Sequence, residues 1–352
     1  MSDKPDFRNM SCPLPILDHD TIQLAHGAGG RLSADLIEKM IVPRFHSDEL
    51  DRLEDQAVLD LPPGRVAFST DTFVVNPLFF PGGDIGDLAV NGTVNDVAMS
   101  GAVVQALSVG FVLEEGLPMA DFHRILCSME AAVKKAGVRI VTGDTKVVDR
   151  GACDGIFINA AGVGVVPAGM DLGGHRIAAG DKVLLSGTLA DHGMAIMTVR
   201  EKLSFQASIQ SDTAALNGLI ADLLKACPGV KAMRDPTRGG VATTLNEYAA
   251  GAKVGIRIEE GQVPVRPDVA GACEILGIDP LYVANEGKLI AIVPADEADA
   301  ALAALRAHEL GREAVILGEV VAENPGLVSM RTGLGAERIV DMPIGEQLPR
   351  IC

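Results

Sequence analysis

The segment FSTDTFVVNPLFFPGGDIGDLAVNGTVNDVAMSGA, residues 68–102, decides how the chain is read. It opens inside a short β-type run, 66–70. It continues through 85–100, where Leu88, Ala89, Gly92, Asp96 and Met99 share one helical stripe, and leads into a second β-type run, 103–112. Strand, helix and strand in that order point to an α/β unit.

Working outward, residues 56–61 read as a further strand, and 33–40 reads as a helix with Ser33 as its N-cap candidate. The glycine-rich run Ala25-His26-Gly27-Ala28-Gly29-Gly30 leads into that helix, while residues 1–20, with three prolines, read as an irregular arm. On the other side, 119–136 is an amphipathic helix closed by Gly137, and 140–141 and 155–166 supply strands. The Gly-rich stretch 167–180 marks a domain boundary. Beyond it a second α/β unit begins, with strands at 182–186 and 289–293 and helices at 192–203, 213–226 and 298–308. No repeat of fixed period is evident. From Pro343 the last ten residues hold two prolines and a glycine, which blocks helix and central strand alike, so 341–352 is expected to be a mobile tail. The reading is thus α/β (α+β) with two domains, 21–166 and 167–340.

The totals agree with a globular protein of two domains. A chain of 352 residues with 48% hydrophobic and 22% charged residues has the composition of a globular protein with more than one core. A net charge of −17 argues against nucleic acid and anionic lipid as ligands. No apolar run reaches the length of about 18 residues that a membrane helix needs, and the first ten residues lack the apolar core of a signal peptide, so a cytoplasmic protein is expected. The six cysteines form no C-x-x-C pair, which suggests neither a disulfide framework nor a zinc knuckle.

Asp55, Asp71, Asp96 and Asp144 sit near strand ends or in a small-residue helix, a setting that suits magnesium bridging to phosphates, although each alone also reads as turn or cap chemistry. Asp96 stands beside Asn95 among Ala, Val and Gly, where a buried carboxylate must be paired or metal-bound. Lys146 can place an ammonium against a transferring phosphate, or be a surface lysine. His26-Gly27-Ala28-Gly29-Gly30 and Asp235-Pro236-Thr237-Arg238-Gly239-Gly240 offer free backbone N–H groups to phosphate, and both also read as plain turns. Glu286, just before an apolar strand, is placed at a sheet edge as a general-base candidate or a solvated turn residue. Cys352 differs from a core cysteine, because it ends a Pro-broken tail behind Arg350, whose charge favours the thiolate.

Taken together, LAHGAGG (24–30), EDQAVLD (54–60), residues 68–102, GFVLEEGLPM (110–119), IVTGDTKVV (140–148), RDPTRGGV (234–241), ANEGKL (284–289) and PRIC (349–352) resemble the HypE family of hydrogenase maturation proteins over essentially the whole chain. The resemblance implies a fold similar to the aminoimidazole ribonucleotide synthetase (PurM-like) superfamily, with N-terminal domains pairing into a β-barrel across a homodimer and ATP in a cleft. It implies that the carbamoyltransferase HypF loads a carbamoyl group onto Cys352. ATP-dependent dehydration would then yield a thiocyanate, whose cyanide passes through the HypC-HypD iron scaffold to a [NiFe] hydrogenase. Under that reading Asp55, Asp71, Asp96 and Asp144 hold Mg2+ and the triphosphate, with His26, Gly27, Gly29, Gly30, Asn95, Asp235 and Arg238 around ATP. Cys352, Glu286 and Lys146 carry the chemistry. The rivals are a selenophosphate synthetase-like enzyme, for which Cys12 would be the reactive residue, a thiamine-monophosphate kinase-like enzyme, and a thiol carrier without catalysis.

Overall fold

The computed structural model describes residues 19–203, 209–345, 348 and 350–352. Cys12 and nearly all of the expected arm, 1–18, lie outside the described residues. The first unit opens with α1 (Arg31–Leu36), a π-helical turn and α2 (Val42–Phe45). There follow β1 (Arg65–Phe73), the short hairpin of β2 (Phe79–Phe80) and β3 (Gly83–Asp84), α3 (Ile85–Ala98), β4 (Val103–Glu114), α4 (Met119–Ala136), β5 (Ile140–Val148) and β6 (Ile156–Val166). The strands form one sheet in the order β1-β6-β4-β5, with β4 and β5 parallel and the other pairs antiparallel.

Period-two alternation along β1 turns Ala67, Ser69, Asp71 and Phe73 toward α3, and leaves Val66, Phe68, Thr70 and Thr72 on the open face. Gly162 and Gly164 on β6 let α3 lie close on the sheet: a Cβ at either would come within 2.9 and 2.7 Å of Val97. Two expectations fail here. The first strand begins at Arg65, and 56–61 forms none, because this apolar run has no partner strand and leaves Val58 exposed. Ser33 is not an N-cap; Gly30 takes that place, and the Ser33 hydroxyl accepts from Gly29 N–H (3.0 Å) and donates to the Ala25 carbonyl (3.2 Å), bracing the glycine loop.

The second unit contains β7 (Lys182–Leu185), α5 (Asp191–Arg200), α6 (Asn217–Ala226), β8 (Ala232–Arg234), α7 (Gly240–Ala252), β9 (Gly255–Glu259) and α8 (Pro267–Leu276). It ends with β10 (Ile290–Val293), α9 (Ala298–Ala307), β11 (Val315–Val321), β12 (Val328–Arg331) and β13 (Glu337–Ile339). The sheet order is β13-β12-β9-β11-β7-β10-β8, antiparallel except for β9 with β12. One continuous apolar core joins the units, running from Phe73 and Leu88 to Leu216, Leu289 and Ile351.

Ile351, near the end of the segment expected to be a mobile tail, belongs to that core, its side chain only 2% exposed. In this structure the tail end is seated between the units, held mainly through its backbone. Val74 N–H donates to the Cys352 carbonyl (3.1 Å), Asn76 N–H to the Arg350 carbonyl (3.4 Å), and His192 Nε2 meets the Ile351 carbonyl at 3.0 Å.

Candidate active site

The seated tail places Cys352 in a cavity of about 350 Å³, together with Thr70, Asp71, Gly92, Asp96, Met99, Arg234, Asp235, Thr237, Arg238 and Glu286. Each side chain arrives by a local rule. Asp71 faces inward because β1 alternates. Asp96 sits on α3 and accepts from the Ser69 hydroxyl at 2.8 Å, two residues before Asp71 on the same strand face. Asp235 and Arg238 are presented by a turn that needs Gly239 and Gly240, both with positive φ (75° and 62°); a Cβ on Gly240 would meet the Leu281 carbonyl at 2.5 Å. Glu286 belongs to the loop before β10. That strand is an interior one, flanked by β7 and the edge strand β8, and Glu286 is buried, so it is neither at an edge strand nor a solvated turn residue.

Charge is concentrated here. Glu286 is 2% exposed and, among the described residues, its Oε1 has no hydrogen-bond partner. Burial, reinforced by Asp235, Asp212, Asp71 and Asp96, raises its pKa well above the ordinary glutamate range. Burial and then Asp96 push Asp235 up to about 7, while Asp96 is raised by burial against the opposing Ser69 bond. The Cys352 thiol is pushed up to about 12 by burial, Glu286 and Asp71, with Arg238 pulling the other way. Arg350 does not supply the expected activation. Its guanidinium binds the Val74 carbonyl (3.0 and 3.1 Å), pairs with Asp154 and lies 5.7 Å from the Phe157 ring centroid.

A second cavity, of about 240 Å³, is lined by His26, Gly27, Gly29, Asp144 and Lys146 with an apolar wall that includes Ile37, Val42, Phe45 and Phe111. Lys146 donates to Asp144 at 2.8 Å, and both are largely exposed. Within one chain the structure therefore divides the expected ATP and catalytic set in two. The four aspartates of one chain do not share a cavity: Asp71 and Asp96 line the tail cavity, Asp144 lines the second, and Asp55 is exposed and lines neither. Among the described residues no three His, Cys, Asp or Glu side chains converge as a metal-ligand group. Gly30 is exposed at the N-cap of α1, lining neither cavity.

Asn95 also differs from its expected place around ATP. Fully buried, it donates to the carbonyls of Ala214 (3.0 Å) and Glu286 (3.2 Å) and accepts from Leu216 N–H (2.7 Å), so its amide joins the two units.

Other groups had no local signal. Asp212 Oδ1 and Oδ2 accept from the N–H groups of Glu286 and Gly287 (3.2 Å each), and Oδ2 also accepts from Lys288 (2.9 Å). His192 lies fully buried beneath the tail. These contacts join residues 74 or more positions apart, beyond the reach of any spacing rule.

Comparison with known proteins agrees with this architecture. Residues 53–166 match the AIR synthase related protein N-terminal domain, and residues 178–329 match its C-terminal domain. The carbamoyl dehydratase HypE of Azotobacter vinelandii is 54% identical over 336 residues, covering 96% of this chain and 98% of that protein. A crystal structure of hydrogenase maturation protein HypE in complex with ATP superposes with a TM-score of 0.91 at 48% identity, over 94% of this chain and 100% of the other. A chain from a HypE-HypF complex gives 0.77 at 48% identity, over 88% and 99%. With its two AIR synthase related domains and such identity along nearly its whole length, the chain belongs to the HypE family of carbamoyl dehydratases.

Proposed function

We propose that the protein carries a carbamoyl group on Cys352 and dehydrates it with ATP to a thiocyanate, the source of cyanide for hydrogenase iron. One observation carries the placement of the chemistry: the Cys352 thiol and Glu286, whose Oε1 has no hydrogen-bond partner among the described residues, share one cavity with two arginines. The carboxamide oxygen attacks the γ-phosphorus of ATP and ADP leaves. Loss of two N–H protons then expels that oxygen with phosphate, leaving S–C≡N. Arg234 and Arg238 meet the charge on the transferring phosphoryl group. Glu286 takes up one nitrogen proton, for which it must first be ionised, and the departing phosphate carries away the other. Its raised pKa makes it a strong acceptor in that form.

Asp71 and Asp96 are an all-oxygen pair lining one cavity, which fits Mg2+ held by one or two carboxylates plus substrate phosphates. The ion would neutralise phosphate oxygens. His26, Gly27, Gly29 and Lys146 form the other candidate part of the nucleotide site, and ATP or a second copy of the chain must connect the two cavities. Val66, Phe68 and Val103, exposed on the open face of the first sheet, are the surface a second copy would cover in a dimer-spanning barrel. We take 21–166 and 167–340 as the two domains.

The acidic cavity disfavours a thiolate but accepts a neutral carbamoyl tail. Loading therefore takes place with residues 341–352 withdrawn, at a carbamoyltransferase; the similarity to the chain of the HypE-HypF complex supports HypF in that role. Delivery to a HypC-HypD scaffold calls for a second withdrawal. None of the described helices is long and apolar enough to cross a membrane, and the net charge of −17 argues against nucleic acid, which supports a cytoplasmic site of action. Intact mass of carbamoyl-loaded protein before and after ATP tests the reading. The tail must lose the mass of one water, and an unchanged mass in a competent preparation would refute it.

A further inference from the structure

The segment Ser211-Asp212-Thr213 reaches the tail through His192 and holds the backbone of the base directly. Ser211 N–H donates to the Pro81 carbonyl (2.8 Å), and the Ser211 hydroxyl oxygen accepts from Thr213 N–H (3.1 Å) while lying 2.8 Å from His192 Nδ1. His192 Nε2 faces the Ile351 carbonyl at 3.0 Å. A carbonyl can only accept, so Nε2 carries the proton and Nδ1 receives that of Ser211. The ring is fully buried, set edge-on to Phe80 at 5.5 Å, and its burial favours this neutral form. One residue along the turn, Asp212 grips the backbone of Glu286 and Gly287 and the ammonium of Lys288. Thr213 is fastened in turn by Asn91, whose Nδ2 donates to its hydroxyl at 3.1 Å.

We infer that the chain Ile351 carbonyl, His192, Ser211, Asp212, Glu286 backbone couples seating of the tail to placement of the base, with His192 and Ser211 as positioning residues. This rests on the dehydratase reading above. Neither residue lines the Cys352 cavity, so their part in the reaction runs through others. The tail supplies the two states that such coupling requires. When it withdraws, the Nε2–H of His192 loses the Ile351 carbonyl that it meets while seated, a bond that reseating restores. Ser211 passes the position of the ring to the turn that holds Glu286, so the base is fully placed only beneath a seated tail.

The test uses the full chain carrying Cys12→Ala, in which the other described cysteines apart from Cys352 are buried. Two quantities are read: the rate of Cys352 alkylation by iodoacetamide, and ATP-dependent water loss from carbamoyl-loaded protein. His192→Ala and Ser211→Ala are each expected to raise alkylation about tenfold, the scale of one lost buried hydrogen bond, and to slow water loss by a similar factor without slowing loading. His192→Gln, which keeps a donor toward Ile351, recovers most of both. Ser211 does not touch the tail, so its effect on alkylation reports transmission along the chain of bonds. Folded His192→Ala and Ser211→Ala proteins with unchanged alkylation would overturn the inference, as would slowed water loss with alkylation unchanged. If the unsubstituted protein loses no water, the dehydratase reading fails by itself, and alkylation still decides whether His192 seats the tail.

Discussion

Two buried acidic regions meet at the segment Glu286-Gly287-Lys288, and they use charge in opposite ways. On one side Asp212 is matched by Lys288 at 2.9 Å, and Asp191 by Arg266 at 2.9 Å and Lys288 at 3.8 Å. Burial alone would raise the pKa of Asp212, yet Lys288 brings it below the usual carboxylate value, while burial still holds Asp191 above it against Arg266 and Lys288. On the other side Glu286, Asp235, Asp96 and Asp71 face one another across a cavity, and Glu286, Asp235 and Asp96 are all raised. The paired region holds the fold and the crowded region stores proton affinity. A buried carboxylate marks a reaction site when its neighbours leave it uncompensated.

The largest effect belongs to the crowded side. Cys352→Ala and Cys352→Ser should form no thiocyanate, because a serine ester cannot give one and its alkoxide is scarcely populated. Mass of the tail after treatment with carbamoyltransferase, carbamoyl phosphate and ATP checks this, with Cys12→Ala as the control; modification that persists on the Cys352→Ala protein would move the acceptor elsewhere.

Next is Glu286→Gln, expected to slow dehydration about a hundredfold to ten-thousandfold, the range of a lost general base, without lowering the melting temperature, since an amide replaces a carboxyl that its surroundings already hold toward the neutral form. The unsubstituted enzyme supplies the matching pH dependence. Because the pKa is raised and the base must be ionised, single-turnover rates should keep rising with pH well beyond the ordinary glutamate value of 4.5. A profile already flat there would remove Glu286 from the role.

The paired side should respond in stability. Lys288→Met leaves Asp212 buried without its cation and should cost about 3–5 kcal/mol in chemical denaturation, the scale of a broken buried pair. A loss under about 1 kcal/mol, the scale of a surface pair, would erase the contrast between the regions. The smallest effect is expected of Ile351→Ala, at about 2 kcal/mol, the low end for truncating a buried isoleucine. Unchanged denaturation would show that the tail adds nothing to the core.

Much of this was legible from local pattern. The stripe of 85–100, the glycine-ended helix 119–136, the RDPTRGG turn and Cys352 all declare themselves through spacing or an unusual setting. What stayed hidden depends on distant partners. Asn95 and Asp96 are adjacent, but about 100° of helical rotation sends one into the second unit and the other toward β1. Asp212 lies in a stretch with no periodicity and gains its role only when residues 286–288 fold against it. The tail reads as mobile because prolines and glycine govern its local propensity, whereas its seat is made by Val74, Asn76 and His192, far away in the chain.

The bonds of Asn95 have a kinetic consequence. One amide ties α3 to the backbone at 214, 216 and 286, inside an apolar core shared by both units, so there is no hinge at the floor of the cleft. Opening like a clamshell would have to tear out these buried bonds on every cycle. Under the proposed function the inexpensive movement is that of the Cys352 end, and turnover is expected to be clocked by its entry into and exit from the cavity.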